Sequence, residues 1–291
     1  MVFSSLPFLF LFLTVVLLLS HLLPFRLRNG FLLLANLVFY AYGEPVYILI
    51  MLVSILVNFF AGVLMGRQRS QGGRRAVLVV GIVLNLAALG VFKYAGLFVG
   101  TLRQIPALAG LPEVDISLPI GISFYTFQAV SYLIDVYWKD CKPSGNFINF
   151  ACYISLFPQL IAGPIVRYRD VNEQLVSRKE TPMLFSSGAR LFVVGMAKKV
   201  LLANQFGLVW DAISADPVAA GAVGAWWGAC AYTLQIYFDF AGYSDMARGL
   251  GRMLGFEFCI NFNYPYISKS VTEFWRRWHI SLSTWFRDYV Y

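Results

Sequence analysis

Residues 46–65 read VYILIMLVSILVNFFAGVLM, a run of twenty residues without a charged side chain. As an α-helix this run is about 30 Å long, which matches the hydrocarbon thickness of a bilayer. Similar apolar runs recur along the chain, whose 291 residues are 59% hydrophobic and only 13% charged. A soluble domain carries about a quarter charged residues. The sequence therefore predicts an all-α, polytopic membrane protein.

The other apolar runs predict further helices on both sides of this stretch. They lie at 6–24, 31–42, 76–100, 118–138, 184–213 and 225–254. The first run has no basic segment before it and no small-residue cleavage site after it, so we expect a retained helix and not a removed signal peptide. No internal repeat or low-complexity linker interrupts residues 1–291, which predicts one membrane domain.

The net charge of +8 could indicate nucleic-acid binding in a soluble protein. Here the basic residues fall between apolar runs, where membrane orientation favours them. Arginines at 26, 28, 67, 69, 74 and 75 mark two cytoplasmic loops and place the N-terminus outside the cytoplasm. We expect no nucleic-acid partner. The two histidines and four scattered cysteines have no metal-ligand spacing, so no metal site is predicted.

Residues 147–165 read FINFACYISLFPQLIAGPI and have basic, cytoplasmic flanks on both sides. A segment with both ends on one side of the membrane does not cross it. Pro158 and Gly163-Pro164 break helical hydrogen bonding, and the freed backbone must be buried in protein or line a cavity. We expect a re-entrant element beside a polar chamber. The alternative is a full crossing that departs from the charge rule.

The predicted helix at 225–254 carries polar groups at membrane depth. Gln235, Asp239 and Tyr243 share a face through i, i+4 and i+8 spacing. A carboxylate at the bilayer centre costs about 2.5 to 3.5 kcal/mol, so Asp239 needs a partner or a wet cavity. Further along, Asp245 and Arg248 form a possible i+3 pair. Ala247, Gly251 and Gly255 form a row of small residues at which another helix is predicted to approach.

Residues 261–291 read NFNYPYISKSVTEFWRRWHISLSTWFRDYVY. Ser270 and Glu273 form a capping-box pattern, which predicts a helix starting near Val271. On one continuous helix, one face would hold Trp275, Trp278, His279, Leu282 and Phe286. His279 would then point toward an apolar body, poised near neutral pH for proton transfer or for holding a substrate. The alternative is an interfacial histidine in an aromatic belt, which is also the reading we favour for His21.

Five blocks along the chain resemble a known family. They are LPIGISFYTFQ (118–128), PQLIAGPIVR (158–167), YFDFAGYSDMARGLG (237–251), NFNYPY (261–266) and EFWRRWHISLSTWFRDYVY (273–291). In wording and order they are similar to the membrane-bound O-acyltransferase family, in particular its bacterial polysaccharide branch. The resemblance implies a helical shell with re-entrant and interfacial helices around a funnel or tunnel. In that passage an acyl group would pass to a hydroxyl.

The resemblance also implies a site around His279, which would position a substrate. The implied lining residues are Asp239, Tyr243, Asn261, Asn263, Tyr264, Trp275, Trp278, Arg276, Gln128 and Gln159. In the family a second histidine, usually taken as the catalytic one, follows a few tens of residues later, whereas this chain stops at Tyr291. We therefore expect a chain that lacks the C-terminal part of its domain and that does not transfer acyl groups alone.

For the full-length protein the resemblance implies O-acetylation of an exopolysaccharide such as alginate, in the bacterial inner membrane. The acyl donor, acetyl-CoA or an acyl carrier, would be cytoplasmic, and no bound cofactor is expected. Membrane lipid and a periplasmic acetyltransferase or other polysaccharide-modifying protein would be partners. One alternative is D-alanyl transfer to teichoic acid. Another is a non-catalytic transporter or scaffold, which the broken helix and the intramembrane Asp239 suggest.

Overall fold

The computed structural model describes residues 2–113, 116–161 and 163–291, and these residues form helices and no strand. The all-α prediction is confirmed. The α-helices are α1 (Thr14–Leu22), α2 (Phe25–Gly43), α3 (Ile48–Arg67), α4 (Gln71–Leu102), α5 (Ile122–Trp138), α6 (Phe147–Ser155), α7 (Phe157–Leu160), α8 (Tyr168–Ser177), α9 (Pro182–Ala197), α10 (Asn204–Ala215), α11 (Pro217–Met253), α12 (Val271–Arg277) and α13 (Ile280–Tyr289). Two π-helical turns, Pro7–Leu13 and Lys198–Ala203, lead into α1 and connect α9 to α10.

In the part of the chain that the structure describes, three helical stretches are long and apolar enough to cross a membrane: Ile48–Arg67, Gln71–Leu102 and Pro182–Ala215. The chain divides into two compact units. The first unit holds the described residues of 1–24, 162–166 and 176–291, and the second holds 25–161 and 167–175. That residues 1–291 form a single domain stays a prediction.

In the second unit, the two predicted basic loops are shorter than expected. Arg26 and Arg28 lie in the first turn of α2, and Arg74 and Arg75 lie at the start of α4, whereas Arg69 lies in a short loop between α3 and α4. The helices extend into the predicted loops because a charged side chain at a helix end reaches water without interrupting the backbone. The N-cap of α4 is Ser70, whose hydroxyl accepts a hydrogen bond from the Gly73 amide.

The predicted break within residues 147–165 is confirmed. Helix α6 ends at Ser155, Leu156 is extended at φ −56° and ψ 107°, and Pro158 lies in the first turn of the four-residue α7. The Phe157 amide, freed by the break, donates to Oδ1 of the fully buried Asn36 at 3.1 Å. The protein thus supplies the partner that lipid would not. Whether the segment is re-entrant stays a prediction.

In the first unit, α9 and α11 approach at glycines. Four residues form the contact: Gly188, Gly195, Gly242 and Gly249. A Cβ on Gly195 would lie 2.6 Å from the Gly242 carbonyl oxygen, so these backbones nearly touch. The predicted row of 247, 251 and 255 is wrong as the place of close helix approach: Gly251 faces Phe258, and Gly255 follows the helix at φ 81°. Between the predicted helices at 184–213 and 225–254, the backbone leaves helical geometry at Asp216 and again at Gly221, which has φ 61°.

Candidate functional site

The segment around His279 is two helices and not one. The predicted start near Val271 is confirmed, because the Ser270 hydroxyl accepts from the Glu273 amide at 3.1 Å. Helix α12 then ends at Arg277, and His279 has a left-handed backbone at φ 45° and ψ 52° before α13 begins. The prediction of one continuous helix, with His279 and the tryptophans on one face, is wrong.

Hydrogen bonds from residues 261–263 account for the break. The Asn263 amide donates to the Arg277 carbonyl at 2.9 Å, so that carbonyl binds Asn263 where a continuous helix would have it bind the Ser281 amide. The Ser281 amide instead donates to Asn261 Oδ1 at 3.1 Å, and the Ile280 amide donates to the Asn261 carbonyl at 3.0 Å. A neighbouring extended segment thus ends one helix and caps the next.

Six rings pack around this break and form what we call the aromatic cluster: Tyr237, Phe240, Phe262, Tyr266, Phe274 and Trp278. Trp278 stacks on Phe274 with ring centroids 5.6 Å apart and meets Phe262 edge-on at 5.0 Å. His279 meets Phe240 edge-on at 4.8 Å. Phe240 and Tyr237 were not predicted to belong to the site, although their i+3 spacing on a predicted helix was a usable signal.

The imidazole of His279 lies in apolar surroundings. Its Nε2 atom is buried and has no hydrogen-bond partner among the residues that the structure describes. Burial disfavours the charged ring and lowers the pKa of His279 from 6.5 to about 4. The expectation of a ring poised near neutral pH is therefore wrong. A neutral imidazole offers one donor and one acceptor, which suits it to hold a substrate oxygen.

The acidic residues of α11 have cationic partners. Asp239 pairs with Lys199, which confirms that the carboxylate needs a partner. Asp245 pairs with Lys198 at 2.6 Å and with Arg248 at 3.4 Å, so the predicted i+3 pair is present. Both lysines lie in the π-helical turn 198–203, a distortion frequent at functional sites.

The other predicted site residues are dispersed. Tyr243 stacks on Phe3 at 4.6 Å, Asn261 is buried, and four side chains of the segment are exposed: Asn263, Tyr264, Trp275 and Arg276. Gln128 and Gln159 belong to the second unit, where both are buried. There the Gln159 amide donates to the Tyr153 carbonyl at 2.6 Å. The structure thus brings His279, Trp278 and Asn261 together. Among the described residues, the four exposed side chains do not form a closed pocket with His279.

The sequence of residues 143–291 matches the profile of the MBOAT, membrane-bound O-acyltransferase family. The same chain is 47% identical over its whole length to the probable alginate O-acetylase AlgI of Pseudomonas aeruginosa. The chain belongs to the membrane-bound O-acyltransferase family. It covers 56% of the length of that relative, so the chain spans a little over half of the curated relatives it matches.

Two relatives that are not alginate O-acetylases are also similar to this chain. The peptidoglycan O-acetyltransferase of Helicobacter pylori is 30% identical over the whole chain, which covers 61% of that protein. The teichoic acid D-alanyltransferase of Streptococcus thermophilus is 33% identical over 59% of this chain and 43% of its own. The resemblance seen in the five sequence blocks is confirmed.

Proposed function

We propose that the full-length protein is a membrane-embedded O-acyltransferase that acetylates hydroxyls of an extracellular polysaccharide. The observation that carries the proposal is the 47% identity to an alginate O-acetylase along all of the chain, His279 and its aromatic cluster included. In the reaction the sugar oxygen bonds to the acyl carbon. The bond from that carbon to the donor's leaving atom breaks, and the hydroxyl proton passes to the leaving group.

His279 is proposed to position a substrate oxygen. Its neutral ring can accept a hydrogen bond from a hydroxyl or donate one to a carbonyl, and its Nε2 has no competing partner within the described ranges. The aromatic cluster keeps water from the reacting groups, which favours transfer to sugar over hydrolysis. The principal base is proposed to be the second histidine that the family resemblance places beyond residue 291.

We also propose a donor, an acceptor and a membrane for this reaction. The donor is a cytoplasmic acetyl thioester, acetyl-CoA or an acyl carrier, and the acceptor polymer or a periplasmic acetyltransferase receives the group on the other side. The membrane is the bacterial inner membrane, crossed several times, with the helices surrounding a funnel or tunnel. Basic residues between the apolar runs support this orientation. Asp239 and Tyr243 are proposed to line the passage.

Acetyl transfer is favoured over D-alanyl transfer. The D-alanyltransferase match covers 59% of the chain at 33% identity, whereas the alginate O-acetylase match covers all of it at 47%. A transporter is the remaining candidate, and only the broken helix at Leu156 and the paired Asp239 favour it.

The test uses the full-length gene in a deletion strain. His279→Gln keeps a polar side chain of similar size but removes the imidazole, and it should lower the initial rate of polymer acetylation in isolated membranes about 100-fold, as misplaced substrates do. His21→Gln, a matched change outside the proposed site, should retain the wild-type rate. Base-labile acetate and D-alanine on the polymer are measured together. Loss of D-alanine with intact acetate, or a wild-type rate in His279→Gln, contradicts the proposal.

A further inference from the structure

Asn261 holds the break at His279 through its side-chain oxygen. Oδ1 accepts two hydrogen bonds, from the Ser281 amide at 3.1 Å and from the Ser281 hydroxyl at 2.9 Å. The Ser281 hydroxyl oxygen in turn accepts from the Ile165 amide at 3.0 Å. Rotating the amide group by 180° would bring NH₂ against the Ser281 N–H, two donors facing each other. The orientation of the Asn261 amide is therefore chemically fixed.

In this fixed orientation the amide nitrogen does not contribute a hydrogen bond to the fold. Asn261 is 1% exposed, and its Nδ2 has no hydrogen-bond partner among residues 2–113, 116–161 and 163–291. Buried polar atoms are nearly always hydrogen-bonded, and leaving one unsatisfied destabilises the folded protein. Capping α13 needs only the oxygen of residue 261, and an aspartate would cap the helix equally well without an unused donor.

A second unsatisfied atom belongs to the same break. The Ile280 amide donates to the Asn261 carbonyl at 3.0 Å, so the backbone of His279 is one residue away from this contact. His279 Nε2 is the other buried atom without a partner here. Arg277, two residues before His279, already binds Glu273 at 2.9 Å and the Asn263 carbonyl at 3.2 Å. The break thus presents an amide donor and an imidazole nitrogen that the fold does not use.

We infer that the Asn261 amide donates a hydrogen bond to the carbonyl oxygen of the acyl group being transferred. A carbonyl oxygen accepts such a bond, and it gains negative charge as the sugar oxygen adds to the carbon. A donor held rigidly in an apolar site stabilises that charge strongly. His279 then positions the attacking oxygen. Asn261 is a substrate-contacting residue in this scheme, and Ser281 is a positioning residue that orients its amide. The inference rests on the proposed O-acyl transfer.

The test compares two substitutions at residue 261 in the full-length protein in proteoliposomes. Asn261→Asp keeps the oxygen that caps α13 and loses the N–H donors. Asn261→Ser also lacks the amide but adds no charge beside His279. Each should lower kcat about 100- to 1,000-fold, the loss typical for removal of one oxyanion donor. The KM for the acceptor sugar should change by less than about threefold, because the sugar hydroxyl does not bind the amide.

Two further variants separate a chemical role from a structural one. Asn146→Asp makes the same change at the N-cap of α6, where Oδ1 accepts from the Ile148 and Asn149 amides, and it should leave kcat unchanged. Ser281→Ala weakens the cap but keeps the Asn261 amide. It should lower the melting temperature, whereas kcat should fall less than in the residue-261 variants. If kcat in all residue-261 and residue-281 variants simply follows stability, Asn261 is only a cap and the inference is overturned.

A spectroscopic readout needs no turnover. A non-transferable donor analogue with a ¹³C-labelled carbonyl should show its stretching band at lower frequency in the wild-type protein, and this downshift should disappear in Asn261→Asp and Asn261→Ser. An unchanged band in both variants overturns the inference. Failure of the proposed function is distinguishable, because the wild-type protein itself would then transfer no acyl group.

Discussion

At the scale of single residues, His279 combines two unfavourable features. Its backbone is left-handed at φ 45°, which a non-glycine residue adopts at a cost of roughly 1 to 3 kcal/mol. Its ring is partly buried, and the buried Nε2 atom lacks a partner among the described residues. Such features persist when the surroundings enforce them, and they are concentrated at functional sites. The hydrogen bonds from Asn261 and Asn263 provide the enforcement here.

Burial of His279 predicts a pH-dependent stability. In the unfolded chain the pKa of this ring is near 6.5, and in the folded chain it is about 4. The unfolded state therefore binds more protons between these values, so the stability present above pH 6.5 is lost as the pH falls toward 4. Thermal unfolding of the detergent-solubilised protein, followed from pH 8 to pH 4, should show this decline.

His279→Gln serves as the control for that decline. Every other titrating group is common to the two proteins, so the difference between their pH profiles isolates His279. The variant should lose less stability than the wild type between pH 6.5 and pH 4. Parallel profiles would show that the ring is solvated and not buried.

The candidate site could be predicted only in part from sequence. The Trp278-His279 segment and Asn261 stood out by composition and resemblance, and the structure brings them together. They meet because residues 261–263 form hydrogen bonds with residues 277–281. Side-chain periodicity does not predict these bonds. Gln128 and Gln159 were predicted as site residues because they are polar residues in apolar runs. Such residues can instead be buried within the fold, as the hydrogen bond from Gln159 to the Tyr153 carbonyl illustrates.

At the scale of helices, the α9–α11 contact depends on missing side chains. A Cβ on Gly195 would lie 2.6 Å from the Gly242 oxygen and 2.7 Å from the Met246 amide nitrogen. Both are backbone atoms and cannot move aside independently. Gly195→Ala should therefore separate the helices and lower the free energy of unfolding by about 1 to 3 kcal/mol. The measurement is unfolding by SDS titration in mixed micelles.

Gly90→Ala is the matched control for this contact. Gly90 also lies within a helix, α4, but an added Cβ would meet no atom within 4 Å. Replacing a helical glycine with alanine at an open position should leave stability unchanged or raise it by about 0.5 to 1 kcal/mol. Equal destabilisation by both substitutions would show that helix propensity, and not helix contact, determines the effect.

Long helices were predictable and their ends and interruptions were not. Residues 46–65 correspond closely to α3, because twenty apolar residues leave few alternatives in lipid. The break at His279 was missed because side-chain periodicity does not register backbone amides captured by another segment. The glycine contact was misplaced for a related reason. Several glycine rows exist on α11, and only the partner helix decides which one it packs against.

At the scale of the whole molecule, orientation in the membrane rests on the basic residues between apolar runs. Helices α6 and α7 have nine and four residues, which correspond to about 14 Å and 6 Å at 1.5 Å per residue. Neither is long enough to cross a hydrocarbon layer of about 30 Å. The lengths and the charge pattern therefore agree in favouring a re-entrant element over a crossing between residues 147 and 165.

Cysteine labelling tests this orientation. In a full-length protein whose native cysteines are replaced, single cysteines are placed at three exposed positions. Lys142 and Glu173 flank the segment, and Gly110 lies beyond the end of α4 that is opposite its basic start. A membrane-impermeant maleimide should label Gly110→Cys in intact spheroplasts. It should label Lys142→Cys and Glu173→Cys only after permeabilisation, because the basic flanks favour the cytoplasmic side. Labelling of Glu173→Cys in intact spheroplasts, with Lys142→Cys still protected, would establish a full crossing. Helices α6 and α7, with the break at Leu156 between them, would then belong to one crossing and not to a re-entrant element.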